Sequence, residues 1–125
     1  MMMKFTCNTG ELNQGINSAL LAVSPKSTLL ALEGILVRVT TKEITLMSYN
    51  LEMGITAIVD AKVEKTGEII IPAKVFSDII RRIESDEVTI EADDRCLVQI
   101  TGGVSQFTIL GMTSEEFPCL LYTSP

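Results

Sequence analysis

The 125-residue chain contains no histidine and no tryptophan. The missing imidazole removes the commonest general base and the commonest transition-metal ligand. Aromatic residues make up only 5%, so the core has to be built from Ile, Leu, Val and Met. Three cysteines, Cys7, Cys96 and Cys119, are odd in number and widely spaced. They suit neither a disulfide framework nor a zinc site, and a reducing, cytoplasmic compartment is the expectation. No apolar run approaches the length of a membrane span. The opening Met1-Met2-Met3-Lys4-Phe5 passes directly into strand-like sequence, so no secretory leader is expected.

What remains is an apolar fraction of 46% with a net charge of -6, which excludes disordered, collagen-like and coiled-coil chains and suffices for one domain with a core. Lys4-Phe5-Thr6-Cys7 alternates as a half-buried strand does. Asn8 or Thr9 can cap a helix, with Glu11 three residues after Asn8. Leu12, Ile16, Ala19, Leu20 and Val23 recur at helical spacing, and Gln14, Asn17, Ser18 and Leu21 occupy the other side, almost uncharged. Ser24-Pro25 closes that helix. Strands are then expected over Ile35–Val39, Glu43–Met47 and Gly54–Val59. Ser48–Glu52 forms a polar break among them, and Asp60–Thr66 a charged connection after them.

The order then begins again. Glu68–Ile71 reads as a strand, and Pro72 suits a first helical turn. Val75, Phe76, Ile79, Ile80 and Ile83 form an apolar stripe, with Lys74, Ser77, Asp78, Arg81 and Arg82 opposite. Burying that stripe contributes roughly 1.5–3 kcal/mol per residue. Glu87–Ala92, Arg95–Ile100 and Ser105–Ile109 alternate as strands, with turns at Asp93-Asp94 and Thr101-Gly102-Gly103. The expectation is an α+β domain of two β-α-β-β-β halves, with antiparallel sheets and two helices on one face.

No catalytic constellation emerges. Gly102-Gly103 has no helix after it to cradle a phosphate. Glu84, Asp86, Glu87, Asp93 and Asp94 lack the spacing of a calcium loop and read as solvated turn acids. A small hydrolase built on Glu84 or Asp86 has no apparent substrate. The charge distribution says more. Lys74, Arg81 and Arg82 share the outer face of the second helix, Lys26 follows the first, and the acids fall mostly in strands and turns. Such a face is either a solvated helix surface or a weak, sequence-independent contact for a polyanion.

Several strings in order then resemble the first domain of the bacterial DNA polymerase III β subunit, the sliding-clamp family. They are Met3-Lys4-Phe5-Thr6, Ser27-Thr28-Leu29 with Leu32 and Gly34, and Asn50-Leu51-Glu52-Met53. Further on come Ile71-Pro72-Ala73-Lys74 with Phe76 and Asp78, Gly103-Val104-Ser105-Gln106-Phe107-Thr108, and Glu116-Phe117-Pro118. The resemblance covers residues 3–118. It implies a ring formed by a head-to-tail homodimer of three-domain subunits. Helices would line a hole around double-stranded DNA, without base readout, and the ring would hold the replicative polymerase on its template. It also implies a non-catalytic processivity factor that needs no cofactor and no metal.

On the same resemblance, Lys26, Lys74, Arg81, Arg82, Gln14 and Asn17 would face the DNA, and Lys74, Ile79, Phe107 and Ile109 would lie at the subunit boundary. Phe107 and Ile109 read equally well as facing the domain's own core. Polymerase and clamp loader would bind through domains that this chain lacks. The chain departs from the family in three places: Leu30, where many members carry proline; Val104 and Gln106, where arginines are common; and Cys119–Pro125, a tail unlike the family's linker and read as a truncation artefact. The alternative reading is a free-standing α+β interaction module that assembles through an edge strand.

Overall fold

The computed structural model describes residues 3–22, 34–49 and 53–113. Val23, Lys26, Leu30, the Ser27–Leu32 and Asn50–Glu52 strings, Glu116–Pro118 and the 119–125 tail lie outside the described residues. The element order is β1 (Met3–Asn8), α1 (Thr9–Leu20), β2 (Gly34–Val39), β3 (Glu43–Tyr49), β4 (Gly54–Lys65), β5 (Gly67–Pro72), α2 (Ala73–Arg82), β6 (Glu87–Ala92), β7 (Leu97–Gly102) and β8 (Ser105–Leu110). The pattern β-α-β-β-β therefore occurs twice.

All strands join one antiparallel sheet in the order β5-β2-β3-β4-β1-β6-β7-β8. Each half's first strand pairs with the second strand of the other half: β1 with β6, and β5 with β2. Beyond β8, the backbone N–H groups and carbonyls of Met112 and Ile70 exchange two hydrogen bonds of 2.9 Å. This brings the two ends of the sheet together, so the strand order is unchanged when the halves are exchanged. The fold is a two-fold repeat of structure without a repeat of sequence.

Period-two burial decides which face is which. Met3, Phe5 and Cys7 of β1, Ile35, Val37 and Val39 of β2, Ile44 and Leu46 of β3, and Val88, Ile90, Val98 and Ile100 of β6 and β7 all enter one core. Both helices add to that same core, α1 through Leu12, Ile16 and Ala19, α2 through Ala73, Phe76, Ile79 and Ile80. The helices thus cover one face of the sheet and pack beside one another. On the opposite face Leu36 and Ile70 form a second, small apolar cluster with Met47, Tyr49 and Met112 packed around them.

Local chemistry sets the element ends. The Asn8 side chain accepts from the Glu11 amide at 2.9 Å and caps α1, as an N-cap asparagine does. The β7–β8 hairpin turns at Gly103-Val104, with Gly103 at φ +58°. That suits a turn whose first central residue is glycine.

Five expectations are corrected. Asp60–Thr66 is not a connection: β4 continues to Lys65, because after pairing with β3 up to Asp60 the chain pairs with β1 from Ala61 onward. The polar break at Ser48 starts later, since β3 carries Ser48 and Tyr49 opposite Ile55 and Gly54. Cys96 is not in a strand. It adopts φ +65° in the β6–β7 turn, where the Asp93 carboxylate accepts from the amides of Arg95 and Leu97 at 2.8 and 3.0 Å. On α2, Val75 is exposed and Ser77 is buried. The buried arc is set by Ala73, Phe76, Ser77 and Ile80 at i, i+3, i+4, i+7, and Val75 falls just outside it.

Candidate nucleic-acid interface

The outward faces of the two helices form one continuous surface. Gln14, Asn17 and Ser18 are exposed on α1, and Lys74, Asp78, Arg81 and Arg82 on α2. Lys74 is the second residue of α2; Pro72, expected in the first turn, instead ends β5 and stands as the extended N-cap at ψ 123°. Arg81 and Arg82 sit in the last turn, where the helix dipole favours cations. The two helices carry three basic and two acidic side chains, against ten and sixteen for the whole chain. The excess of acids therefore lies elsewhere, on strands and turns.

The basic groups are not equivalent. Arg81 Nη2 meets Asp78 Oδ1 at 2.6 Å, one helical turn back. Among the described residues, no carboxylate pairs with Lys74 or Arg82. Sequence reasoning placed Asp78 on this face but missed the pairing, although its i, i+3 spacing was visible. Where the α1 N-terminus meets the α2 C-terminus there is an open cleft of about 360 Å³, lined by residues including Thr9, Asn13, Arg81 and Asp86. Beside it the Asp86 carbonyl accepts from the Thr9 amide at 2.8 Å, one step beyond the Asn8–Glu87 pair of the β1–β6 ladder.

The residues expected at a subunit boundary are scattered by comparison. Lys74 is exposed on α2. Ile79 is only 6% exposed and belongs to the core. Phe107 and Ile109 point inward from β8, half-buried against that core. Because β8 ends the sheet order, their remaining surface lies at its edge. Lys26 lies outside the described residues.

Among the described residues, no group of three or more acidic or cysteine side chains could hold a metal ion, and no helix is long and apolar enough to cross a membrane. Cys7, buried under α1, has its thiol pKa pushed up to about 12, chiefly by desolvation and then by the negative charges of Glu11 and Glu87. A group so held is a packing element, not a nucleophile.

A two-fold β-α-β-β-β repeat with both helices on one face defines a DNA-clamp domain. Residues 3–121 match the family described as DNA polymerase III beta subunit, N-terminal domain, and the chain belongs to that family. It is 31% identical over 119 residues to the beta sliding clamp of Synechococcus elongatus, covering 93% of this chain and 32% of that one. The beta sliding clamp of Staphylococcus epidermidis is 28% identical over 127 residues, covering 95% and 34%. The putative DNA polymerase III beta subunit of Eubacterium rectale superimposes with a TM-score of 0.89 at 36% identity, covering 92% of this chain and 32% of that one. The DNA polymerase sliding clamp of Bacillus subtilis gives 0.90 at 25% identity, covering 94% and 33%. The chain thus spans about a third of the length of these relatives, the extent of one clamp domain.

Proposed function

We propose that this chain serves as the amino-terminal domain of a ring-shaped DNA sliding clamp, encircling duplex DNA and keeping a replicative polymerase on its template. Residues 3–118 make up the domain in this reading. It acts without bond chemistry, in the cytoplasm, and assembles head to tail once joined to two further domains. The observation that carries the reading is the shared outer face of α1 and α2, poor in acids on a chain of net charge -6.

A face of this kind suits DNA that must slide. Lys74 and Arg82 are point contacts for phosphate, and Gln14 and Asn17 offer hydrogen bonds without fixed charge. Contacts to phosphate position a protein without reading bases, and few of them keep the interaction weak and salt-sensitive. Lys26 adds a further cation in this reading. Acids on the remaining surface disfavour DNA outside the ring.

The test is a chimera in which residues 3–118 replace the first domain of the Staphylococcus epidermidis clamp. The expected result is retention on closed circular DNA and release when the circle is cut. Equal retention on circular and linear DNA, or none on either by a folded chimera, overturns the proposal.

A further inference from the structure

The cleft of about 360 Å³ at the start of α1, lined by residues that include Thr9, Gly10, Asn13, Arg81 and Asp86, holds two unsatisfied polar atoms. Thr9 is only 8% exposed, and its Oγ1 has no hydrogen-bond partner. The buried Oδ1 of Asn13 has none either. Four positions separate the two residues on a 12-residue helix, so their side chains share one stripe, the stripe that borders the cleft. Buried polar atoms are nearly always paired, and two orphans in one cleft mark a place for a ligand.

The helix end supplies donors to the same place. The Thr9 amide goes to the Asp86 carbonyl and the Glu11 amide to Asn8 Oδ1. Between them, the Gly10 amide has no partner among the described residues. A Cβ at Gly10 would meet only Asn8 Oδ1, so the space beside that amide is open. Arg81 gives one N–H to Asp78 and keeps others to donate. Asp86, exposed on the far side, disfavours an anion that carries no proton.

We infer that this cleft binds a phosphate group that carries a proton, as free hydrogen phosphate or as the end of a phosphate monoester. Its oxygens accept from the Gly10 amide, the Thr9 hydroxyl and Arg81, at the positive end of the helix dipole. Its P–OH donates to Asn13 Oδ1, an acceptor that a fully ionised oxyanion leaves unsatisfied. That requirement separates the site from a contact with DNA, whose diester phosphates hold no proton. The inference therefore does not rest on the DNA role.

The experiment follows the backbone amides and the Asn13 side-chain amide of the 125-residue chain by NMR. It is run at constant ionic strength at about pH 6, where phosphate monoesters are about half protonated. The probes are inorganic phosphate, sulfate, adenosine 5′-monophosphate and a DNA duplex without terminal phosphates. Inorganic phosphate is expected to give a saturable shift at Gly10 and Asn13, and sulfate to bind about tenfold more weakly. Tighter binding of the monoester than of inorganic phosphate assigns a monoester as the source, and the reverse assigns the free ion. Thr9→Val removes the hydroxyl at nearly constant shape, and it and Asn13→Ala are each expected to weaken phosphate binding about tenfold. Asn13→Ala is also expected to bring phosphate and sulfate level. A cleft that holds only water gives no saturable shift, which overturns the inference. So do equal affinities for phosphate and sulfate in the unaltered chain, or an unchanged phosphate affinity in either variant. A duplex that shifts Gly10 and Asn13 as strongly as phosphate does, at equal phosphate concentration, overturns it as well.

Discussion

The Ser48 hydroxyl donates to the Ala19 carbonyl at 2.6 Å. Ser48 lies on β3 and is 2% exposed, and Ala19 lies in the last turn of α1. The Ala19 carbonyl also accepts from the Ala22 amide at 3.1 Å, so the hydroxyl is a further donor to it, one that ties α1 to the wall beneath it. Ser48→Ala removes this hydrogen bond while the Ala22 amide stays on the carbonyl, and is expected to cost about 0.5–1.5 kcal/mol, read from chemical denaturation with an unchanged slope. Ser48→Thr, which keeps the hydroxyl, is expected to recover part of the loss. Equal losses in both variants would show that the site responds to volume and not to the bond.

Gly102, at the end of β7, lies under the α2 exit. A Cβ there would overlap Ile83 Cγ2. Gly102→Ala is therefore expected to destabilise by about 1–3 kcal/mol, as overpacking does. Removing the γ carbons of the opposing side chain makes room, so Gly102→Ala combined with Ile83→Ala is expected to cost less than the sum of the two single changes, a coupling that a double-mutant cycle measures.

Cys7 carries a pH signature. Its folded pKa of about 12 lies above the ordinary thiol value of 9.0, so folding favours the neutral form. The resulting stability is complete below about pH 9 and is lost as pH rises toward 12. The difference in unfolding free energy between the unaltered chain and Cys7→Ala is expected to be flat below pH 9 and to shrink above it. A thiol reagent at pH 8 is expected to label Cys7 only as fast as the protein opens.

Arg81 and Arg82 are adjacent in sequence but expected to differ on DNA. In the chimeric ring, Arg82→Ala and Lys74→Ala each remove a cation with no described partner, and each is expected to lower the slope of log affinity against log salt by about one. Arg81→Ala is expected to lower it less, because Asp78 already holds that guanidinium. Asp78→Asn frees Arg81 and is expected to raise affinity. Identical slopes for all four variants would remove α2 from the DNA face.

Most of the strands and both helices are legible from local pattern. Asn8 caps α1 as its spacing with Glu11 announces, and Gly103 turns the last hairpin. The errors cluster where pairing partners decide. β4 reads as ending at Val59 because Asp60–Lys65 looks like a charged connector. In the fold Thr6 and Lys4 of β1 receive that segment, and the charges Lys62, Glu64 and Lys65 simply point outward. Cys96 sits in strand-like sequence, yet the Asp93 carboxylate gathers the amides of Arg95 and Leu97 and holds Cys96 at positive φ. Val75 and Ser77 exchange roles on α2 because a helix's buried arc depends on where the sheet lies, and apolar spacing alone fixes that arc only to within one position.

The candidate DNA face divides the same way. The identity of Lys74, Arg81, Arg82, Gln14 and Asn17 as one set of helix-borne polar residues follows from the 3.6-residue period and from local charge, both properties of the chain itself. Two helices on one face of antiparallel sheets were legible as well; only the tertiary structure decided that the two halves join into one eight-stranded sheet, which sets α1 beside α2, and that Asp78 claims Arg81. Those facts depend on strands far apart in sequence choosing each other, β1 with β6 and β5 with β2, and no local pattern encodes a choice of distant partner.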